Sequence, residues 1–384
     1  MRRRVLLVQP SLQPPGGGNG VAAWMLQALA PEHEVTVLSW RPVEVSSINQ
    51  FFGTSLARAS FATHVVPASW RLVDPLPVPA ALVRSSLLMR YTRRVSSGFD
   101  VILGAHNETD YGRRGIQYVH YPAYLRPRPD VDMRWYHIGP LLNGYYRVAD
   151  RIAGFSIARM TSNLTLANSH WTAARILQSM GIHAETLYPP VVAGATPRPW
   201  SDRQRSFVAM GRISPEKEYE RVIRILARVK KHAKDVSLTI VGTVDHGTRH
   251  YMRRLMALIA SLDAGSWVSF RHHLPREEVR TLIASTRYGI HGMREEHFGM
   301  APAEMVRGGM LVWVANGGGQ VEIVGDAPPL RYDSEEQAAD QILAVIGHPQ
   351  EEQRLRDHLA HYGEQFSVER FMAAIQSHVA SFVE

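Results

Sequence analysis

The sequence contains no cysteine, and that absence excludes disulfide bridges, thiolate metal sites and a cysteine nucleophile together. A reducing cytoplasm suits such a chain, so a cytoplasmic protein is the expectation. There is also no run of about 18 or more apolar residues, the length a membrane-spanning helix needs, which leaves attachment to the inner face of a membrane open. The start, "MRRRVLLVQP", is basic, but its apolar run VLLV is too short for a signal peptide and reads as a first buried strand. No low-complexity tract or fixed-period repeat occurs, which excludes solenoids and arrays. No recognised motif or aromatic-basic strip for nucleic acid is present, so no nucleic-acid partner is expected.

What is present fits a two-domain protein. The 384 residues suffice for two cores, since domains cluster near ~100 to 200 residues. Hydrophobic residues make up 45% and charged residues 20%, the balance of a globular chain. Lys and Arg number 43 against 35 Asp and Glu, so the surface should attract phosphates, nucleotides or anionic headgroups.

Short Val-, Ile- and Leu-rich runs alternate with amphipathic stretches: "RVLLVQP", "HEVTVLSW", "DVILGAH", "IQYVHYP", "TLANSH" and "AETLYPP", then "FVAMGR", "SLTIVG", "WVSFRHH", "YGIHGM" and "MLVWVAN". Strands alternating with helices imply parallel sheets covered on both faces. The Pro- and Gly-containing segment Pro189 to Ser206 separates the two series and reads as a linker. The expected class is therefore α/β, with two doubly wound, Rossmann-like domains over residues 1–190 and 191–365. The last part of the chain, from Ser334, is helical in period and is expected to form a tail crossing between the domains, its last helix, residues 366–384, packing back on the first domain.

Three stretches carry candidate chemistry. In "PPGGGNGVAAWMLQAL" a glycine turn follows the first strand and opens a helix, where backbone N–H groups can meet a phosphate. The acid that a nicotinamide cofactor needs at the second strand end is replaced by "LSWRP". A tight turn without a ligand is the alternative. In "MGRISPEKEYERVIRIL", Arg212 and Lys217 fall at the carboxyl edge of a sheet, where two cations suit a diphosphate. Ser214 followed by Pro215 also reads as a helix cap. In "REEHFGMAPAEMVRGG", Phe298, Gly299 and Met300 form a turn ahead of Pro302 whose amides suit an anion. Glu296 before that turn, and Glu304 in the first turn of the helix, suit the hydroxyls of a sugar or ribose. The alternatives are a solvated Glu296 and a Glu304 that favours the helix dipole. A further glycine turn at 317–319 lies at the same sheet edge.

In this order, "PPGGGNG", "YVHYP", "ANSHWTAARI", "LYPPV", "GRISPEK" and "EEHFGMAPAE" resemble the retaining glycosyltransferases of family 4, over nearly the whole chain. Within that family, "YVHYP" and "HGMREEHFGM" are similar to the α-1,2-mannosyltransferases of lipid-linked oligosaccharide assembly. The resemblance implies a GT-B fold, two Rossmann-like domains facing across a cleft, with an acceptor-binding first domain and a nucleotide-sugar-binding second. It implies a nucleotide-diphosphate sugar donor, with GDP-mannose favoured over UDP-glucose or UDP-N-acetylglucosamine. The acceptor would be a saccharide, lipid-linked or small molecule, and the hexosyl transfer metal-independent and without a cofactor. Arg212 and Lys217 would hold the diphosphate, Glu296 the donor-sugar hydroxyls and Glu304 the ribose. Gly17 and Gly18 would approach the diphosphate, and the backbone at Phe298, Gly299 and Met300 the sugar or phosphate. His120 would stand near the reacting centre, with His106 lining the cleft; without the resemblance, His120 reads as a strand cap. A sugar-nucleotide epimerase or a non-catalytic two-lobed binding protein would share the fold.

Two basic regions bear on the acceptor. Val83 to Gly98, with Leu87, Leu88 and Tyr91 beside Arg84, Arg90, Arg93 and Arg94, reads either as a helix packed on the sheet or as one lying on an anionic membrane. "YLRPRP" near Arg126 and Arg128 reads as an acceptor loop or a surface loop. The Asp130/Asp132 pair spells a D-x-D, but off any expected strand end, and no metal site is expected.

Overall fold

The computed structural model describes residues 2–73, 81–122, 139–192, 194–244 and 248–382. The chain forms two compact units, Met1–Pro190 with Val368–Glu384, and Val191–Ser367.

The first unit is built on seven strands: β1 (Arg4–Val8), β2 (Glu34–Ser39), β3 (Ala62–Val65), β4 (Val101–Gly104), β5 (Ile116–Val119), β6 (Leu164–Ala167) and β7 (Glu185–Thr186). They lie in the order β3-β2-β1-β4-β5-β6-β7, and every pairing is parallel. Because helices cover both faces, β1 has no polar face: Val5, Leu6, Leu7 and Val8 are fully buried. Each such side chain contributes about 1.5 to 3 kcal/mol by leaving water. One core cluster joins Leu6, Val8, Leu38, Ile102 and Tyr111 to Leu88 of the helix Ala81–Val95. Leu87 and Tyr91 pack against the same cluster. Leu87, Leu88, Tyr91 and Val95 therefore pack into the core, as the reading of a helix packed on the sheet expects.

The last helix, Val368–Ser381, is part of this unit. Arg3 holds its end by donating to the carbonyls of Val379, Ala380 and Phe382 at 2.8–2.9 Å.

The second unit repeats the topology with β8 (Gln204–Met210), β9 (Leu238–Gly242), β10 (Val268–His272), β11 (Thr286–His291), β12 (Leu311–Ala315) and β13 (Arg331–Tyr332). Their order is β10-β9-β8-β11-β12-β13, again parallel. All of β12 is buried, and Trp313 donates its indole N–H to Pro329 O at 3.0 Å. The expected linker ends early, because Gln204, Arg205 and Ser206 already belong to β8.

Each sheet reverses its strand order once, between β1 and β4 and between β8 and β11. Connections leaving the carboxyl ends of those strands part to opposite faces and leave a crevice, where such folds hold ligands. Among the described residues no helix is long and apolar enough to cross a membrane.

Gly104, at the end of β4, has a positional reason. A Cβ there would overlap the hydroxyl of fully buried Tyr111. Gly104→Ala should lower unfolding stability by about 1 to 3 kcal/mol, and Tyr111→Phe should recover part of that loss in the double variant. Additive effects in denaturant unfolding would contradict this packing.

Candidate functional site

In the second unit, β8 ends at Met210 and the chain turns through Gly211, at φ 145°. A short 3-10 turn, Pro215–Lys217, leads into the helix Tyr219–Lys230. Ser214 occupies the expected cap position but makes no capping bond to the backbone; its hydroxyl donates to Glu216 at 2.6 Å. Arg212 pairs with Glu216 at 3.2 Å and keeps 71% of its side chain exposed.

Lys217 points the other way, onto Glu296. The loop after β11 brings the two together: a Cβ on Gly292 would lie 2.6 Å from Glu218 O and 2.8 Å from Lys217 O. Glycine there lets the two connections touch. Past Glu296, the glycine turn at 317–319 docks on its backbone, with Gly318 bridging to Glu296 and Gly319 N donating to Glu296 O at 2.7 Å. Fully buried Gln320 ties the loops, its amide lying 2.7 Å from Met293 O and 3.0 Å from Gly317 O.

The Glu296 carboxylate is used asymmetrically. Its Oε2 accepts from Lys217 Nζ and from His291 Nε2, the latter at 3.1 Å. Its Oε1 takes no bond among the described residues. Burial alone would raise the Glu296 pKa, but the His291 hydrogen bond and the Lys217 charge outweigh it and hold the group well below the usual carboxylate range. Burial keeps His291 below its ordinary pKa, so it donates from Nε2 as a neutral imidazole. His291 went unnoticed in the sequence, although its place as the last residue of β11 was a signal.

The helix Met300–Arg307 starts one residue after Gly299, which caps it at φ 107°. A Cβ on Gly299 would stand 3.4 Å from Glu296 Cγ, so this turn lies against the carboxylate. Phe298 is buried edge-on against Phe366, so its side chain serves the core and only its backbone is left to the turn. One expectation changes here. Glu304 falls beyond the first turn because the helix begins only at Met300, and Arg276 grips it with both guanidinium nitrogens, Nη1 at 2.9 Å. Arg276, in the helix Arg276–Ser285, was also missed. Nothing in a lone Arg after "LP" marks it.

A cavity of about 630 Å³ in this unit is lined by Glu218, Arg221, Arg254, Arg294 and Asn316 among others. It touches none of Arg212, Lys217 and Glu296. Its charges pair among themselves, Arg221 with Glu218 at 2.9 Å and Arg254 with Glu220 at 3.0 Å. The chemistry-bearing groups lie outside it.

In the first unit, the helix Gly17–Leu29 takes in Gly17 and Gly18 as its first residues. The residue in the glycine-only conformation is Gly16, at φ 139°, because the first helical bond already runs from Gly20 N to Gly16 O at 3.1 Å. The glycine turn is thus one residue earlier than expected. A Cβ on Gly18 would stand 3.0 Å from His120 Nε2, so the helix start and His120 adjoin. Asn107 accepts from His120 N at 2.9 Å, Asn168 donates to His120 O at 2.9 Å, and His120 Nε2 donates to Ala105 O at 2.9 Å. Among the described residues His106 Nδ1 is buried without a hydrogen bond; burial, and next the neighbouring His120, push His106 down to about 4. Among the described residues no three His, Asp or Glu gather as metal ligands. Arg126, Arg128, Asp130 and Asp132 lie outside those residues.

The Glu296 pair gives a pH test. Its carboxyl is held below its free value of 4.5, so its contribution is complete above that pH and is lost as pH falls toward the depressed folded value. Glu296→Gln leaves the Lys217 ammonium uncompensated and should cost about 3 kcal/mol at neutral pH. The gap to the parent protein should stay constant from neutrality to about pH 5 and close below it. A gap independent of pH in urea unfolding would contradict the pairing.

The family described as "Glycosyl transferases group 1" matches residues 197–366, nearly all of the second unit. The chain is 26% identical over 210 residues to the Homo sapiens GDP-Man:Man(3)GlcNAc(2)-PP-Dol alpha-1,2-mannosyltransferase, covering 50% of this chain and 43% of that protein. The Dictyostelium discoideum enzyme of the same name is 26% identical over 195 residues, covering 46% of this chain and 38% of that protein. This chain thus spans about two fifths of the length of these relatives. Among solved structures, Anabaena HepE in complex with UDP and glucose superposes with a TM-score of 0.70 at 17% identity, over 99% of this chain and 100% of that one. That likeness establishes the two-unit GT-B fold. By the match over residues 197–366, the second unit belongs to the group 1 glycosyl transferases.

Proposed function

We propose that this chain is a retaining hexosyltransferase that moves a sugar from a nucleoside-diphosphate donor to a hydroxyl of a saccharide, lipid-linked or small-molecule acceptor. GDP-mannose is the favoured donor, because the curated relatives bear GDP-Man in their names. The observation that carries the reading is the Glu296 carboxylate, one oxygen held by Lys217 and His291 and the other unbonded among the described residues, beside the Gly299 turn. An ionised acceptor oxygen held in place by neighbouring protein groups is what a sugar hydroxyl needs.

In this mechanism the C1–O bond to the diphosphate breaks while the acceptor hydroxyl attacks the same face. The acceptor proton passes to the departing phosphate oxygen, so no protein base is required. The protein's part is positioning and stabilisation of charge on the leaving group. Arg212, exposed and paired with Glu216, and Lys217 neutralise the diphosphate. The amides at Gly299 and Met300 meet the sugar or phosphate, and Glu304, oriented by Arg276, takes the ribose hydroxyls. Gly17, Gly18 and His120 are assigned to the same reaction from the first unit, which is assigned to the acceptor.

Arg212→Ala should slow GDP release from GDP-mannose in the presence of a lipid-linked oligosaccharide extract by about 100-fold or more. Near-normal turnover would remove Arg212 from the mechanism. GDP should raise the melting temperature more than UDP at equal concentration; the reverse order would overturn the donor while leaving the reaction class standing.

A further inference from the structure

Tyr219 opens the helix that follows the Pro215–Lys217 turn and is 2% exposed. Its backbone N–H donates to the Tyr251 hydroxyl at 3.0 Å, but its own hydroxyl is buried and makes no hydrogen bond among the described residues. Every other buried tyrosine among those residues has one: Tyr111 donates to Ile116 O, Tyr118 to Leu187 O, Tyr251 to Glu220, Tyr288 to Glu352 and Tyr332 to His291 O. A buried phenol normally finds such a partner, because without one the group's desolvation goes uncompensated. Phenylalanine would fill the same space without that cost, so packing gives no reason for the oxygen.

The hydroxyl lies against the turn after β8. A Cβ on Gly211 would stand 3.2 Å from it and 3.6 Å from Lys217 Cε, so the hydroxyl and the lysine stem share one side of the turn that leads to Arg212. The carboxylates that hold the two cations, Glu296 for Lys217 and Glu216 for Arg212, also act on the phenol. Burial first, and then Glu296 and Glu216, hold its pKa above the ordinary tyrosine value, so it stays an O–H donor at neutral pH. The Lys217 stem beside it is flexible, and an anion that draws the ammonium toward itself moves that stem. A phosphate oxygen gathered by two cations is the kind of acceptor this proton lacks.

We propose that Tyr219 is a further donor-binding residue, its hydroxyl donating to a phosphate oxygen of the nucleoside diphosphate. The proposal rests on Arg212 and Lys217 holding that diphosphate, and it adds a neutral hydrogen-bond donor to their two charges.

Tyr219→Phe removes the oxygen and keeps the ring. In denaturant unfolding without ligand, the variant should be at least as stable as the parent, since the hydroxyl has no partner to lose. In isothermal titration with GDP and with UDP, its affinity for whichever of them the parent binds should fall about tenfold or more, the acceptor being charged. Unchanged affinity in the variant would overturn the proposal and leave the diphosphate site standing. A variant less stable than the parent without ligand would also overturn it, whatever its affinity, because the hydroxyl would then have a partner within the chain. Failure of the parent to bind either nucleotide would overturn the donor site and this proposal together.

Discussion

A single carboxylate oxygen, Glu296 Oε2, receives both an ammonium and an imidazole N–H, and the candidate site of the second unit is organised around that sharing. The donors come from different places in the chain, Lys217 from the turn after β8 and His291 from the end of β11. The acceptor sits between β11 and the helix Met300–Arg307. Glycines at 292, 299 and 318 let these backbones meet. With only Lys217, the carboxylate could follow the flexible lysine stem. The neutral imidazole, buried in the strand, fixes it to the sheet. The His291 hydrogen bond and the Lys217 charge together keep it ionised despite burial.

Topology explains why this happens where it does. In both units the strand order reverses beside the first strand of the sheet, and the polar groups of interest stand at carboxyl ends of strands on either side of that reversal. The strands are buried on both faces, so polar chemistry is excluded from their length and gathers where they stop. The first unit shows the same pressure: His120 follows β5, and its backbone and ring are held by Asn107, Asn168 and Ala105.

Much of this architecture was legible from apolar runs. Each of the eleven runs singled out in the sequence contains all or part of a strand. The two strands missed are β3 and β13: "ATHV" at a sheet edge is partly exposed and contains a histidine, and "RY" is too short to show a period. Site residues that owe their place to backbone shape were legible, Gly299 and the 317–319 turn among them. Those that act through a partner distant in sequence were not. Arg276 reaches Glu304 across 28 residues and Lys217 reaches Glu296 across 79, and no local pattern encodes either pairing. The misplaced start of the Gly17–Leu29 helix has a different cause: three consecutive glycines offer several equivalent turns, and the first helical hydrogen bond selects Gly16. For the helix Ala81–Val95, sequence left two directions open for Leu87, Leu88 and Tyr91. Packing against Leu6 and Ile102 chose the inward one and left the arginines outside.

The most direct test of the central claim is a crystal structure of the chain with GDP-mannose bound. The account predicts a hexose hydroxyl within hydrogen-bond distance of Glu296 Oε1, with His291 Nε2 still donating to Oε2. A hexose bound away from Glu296, or a Glu296 carboxylate turned off His291, would contradict it.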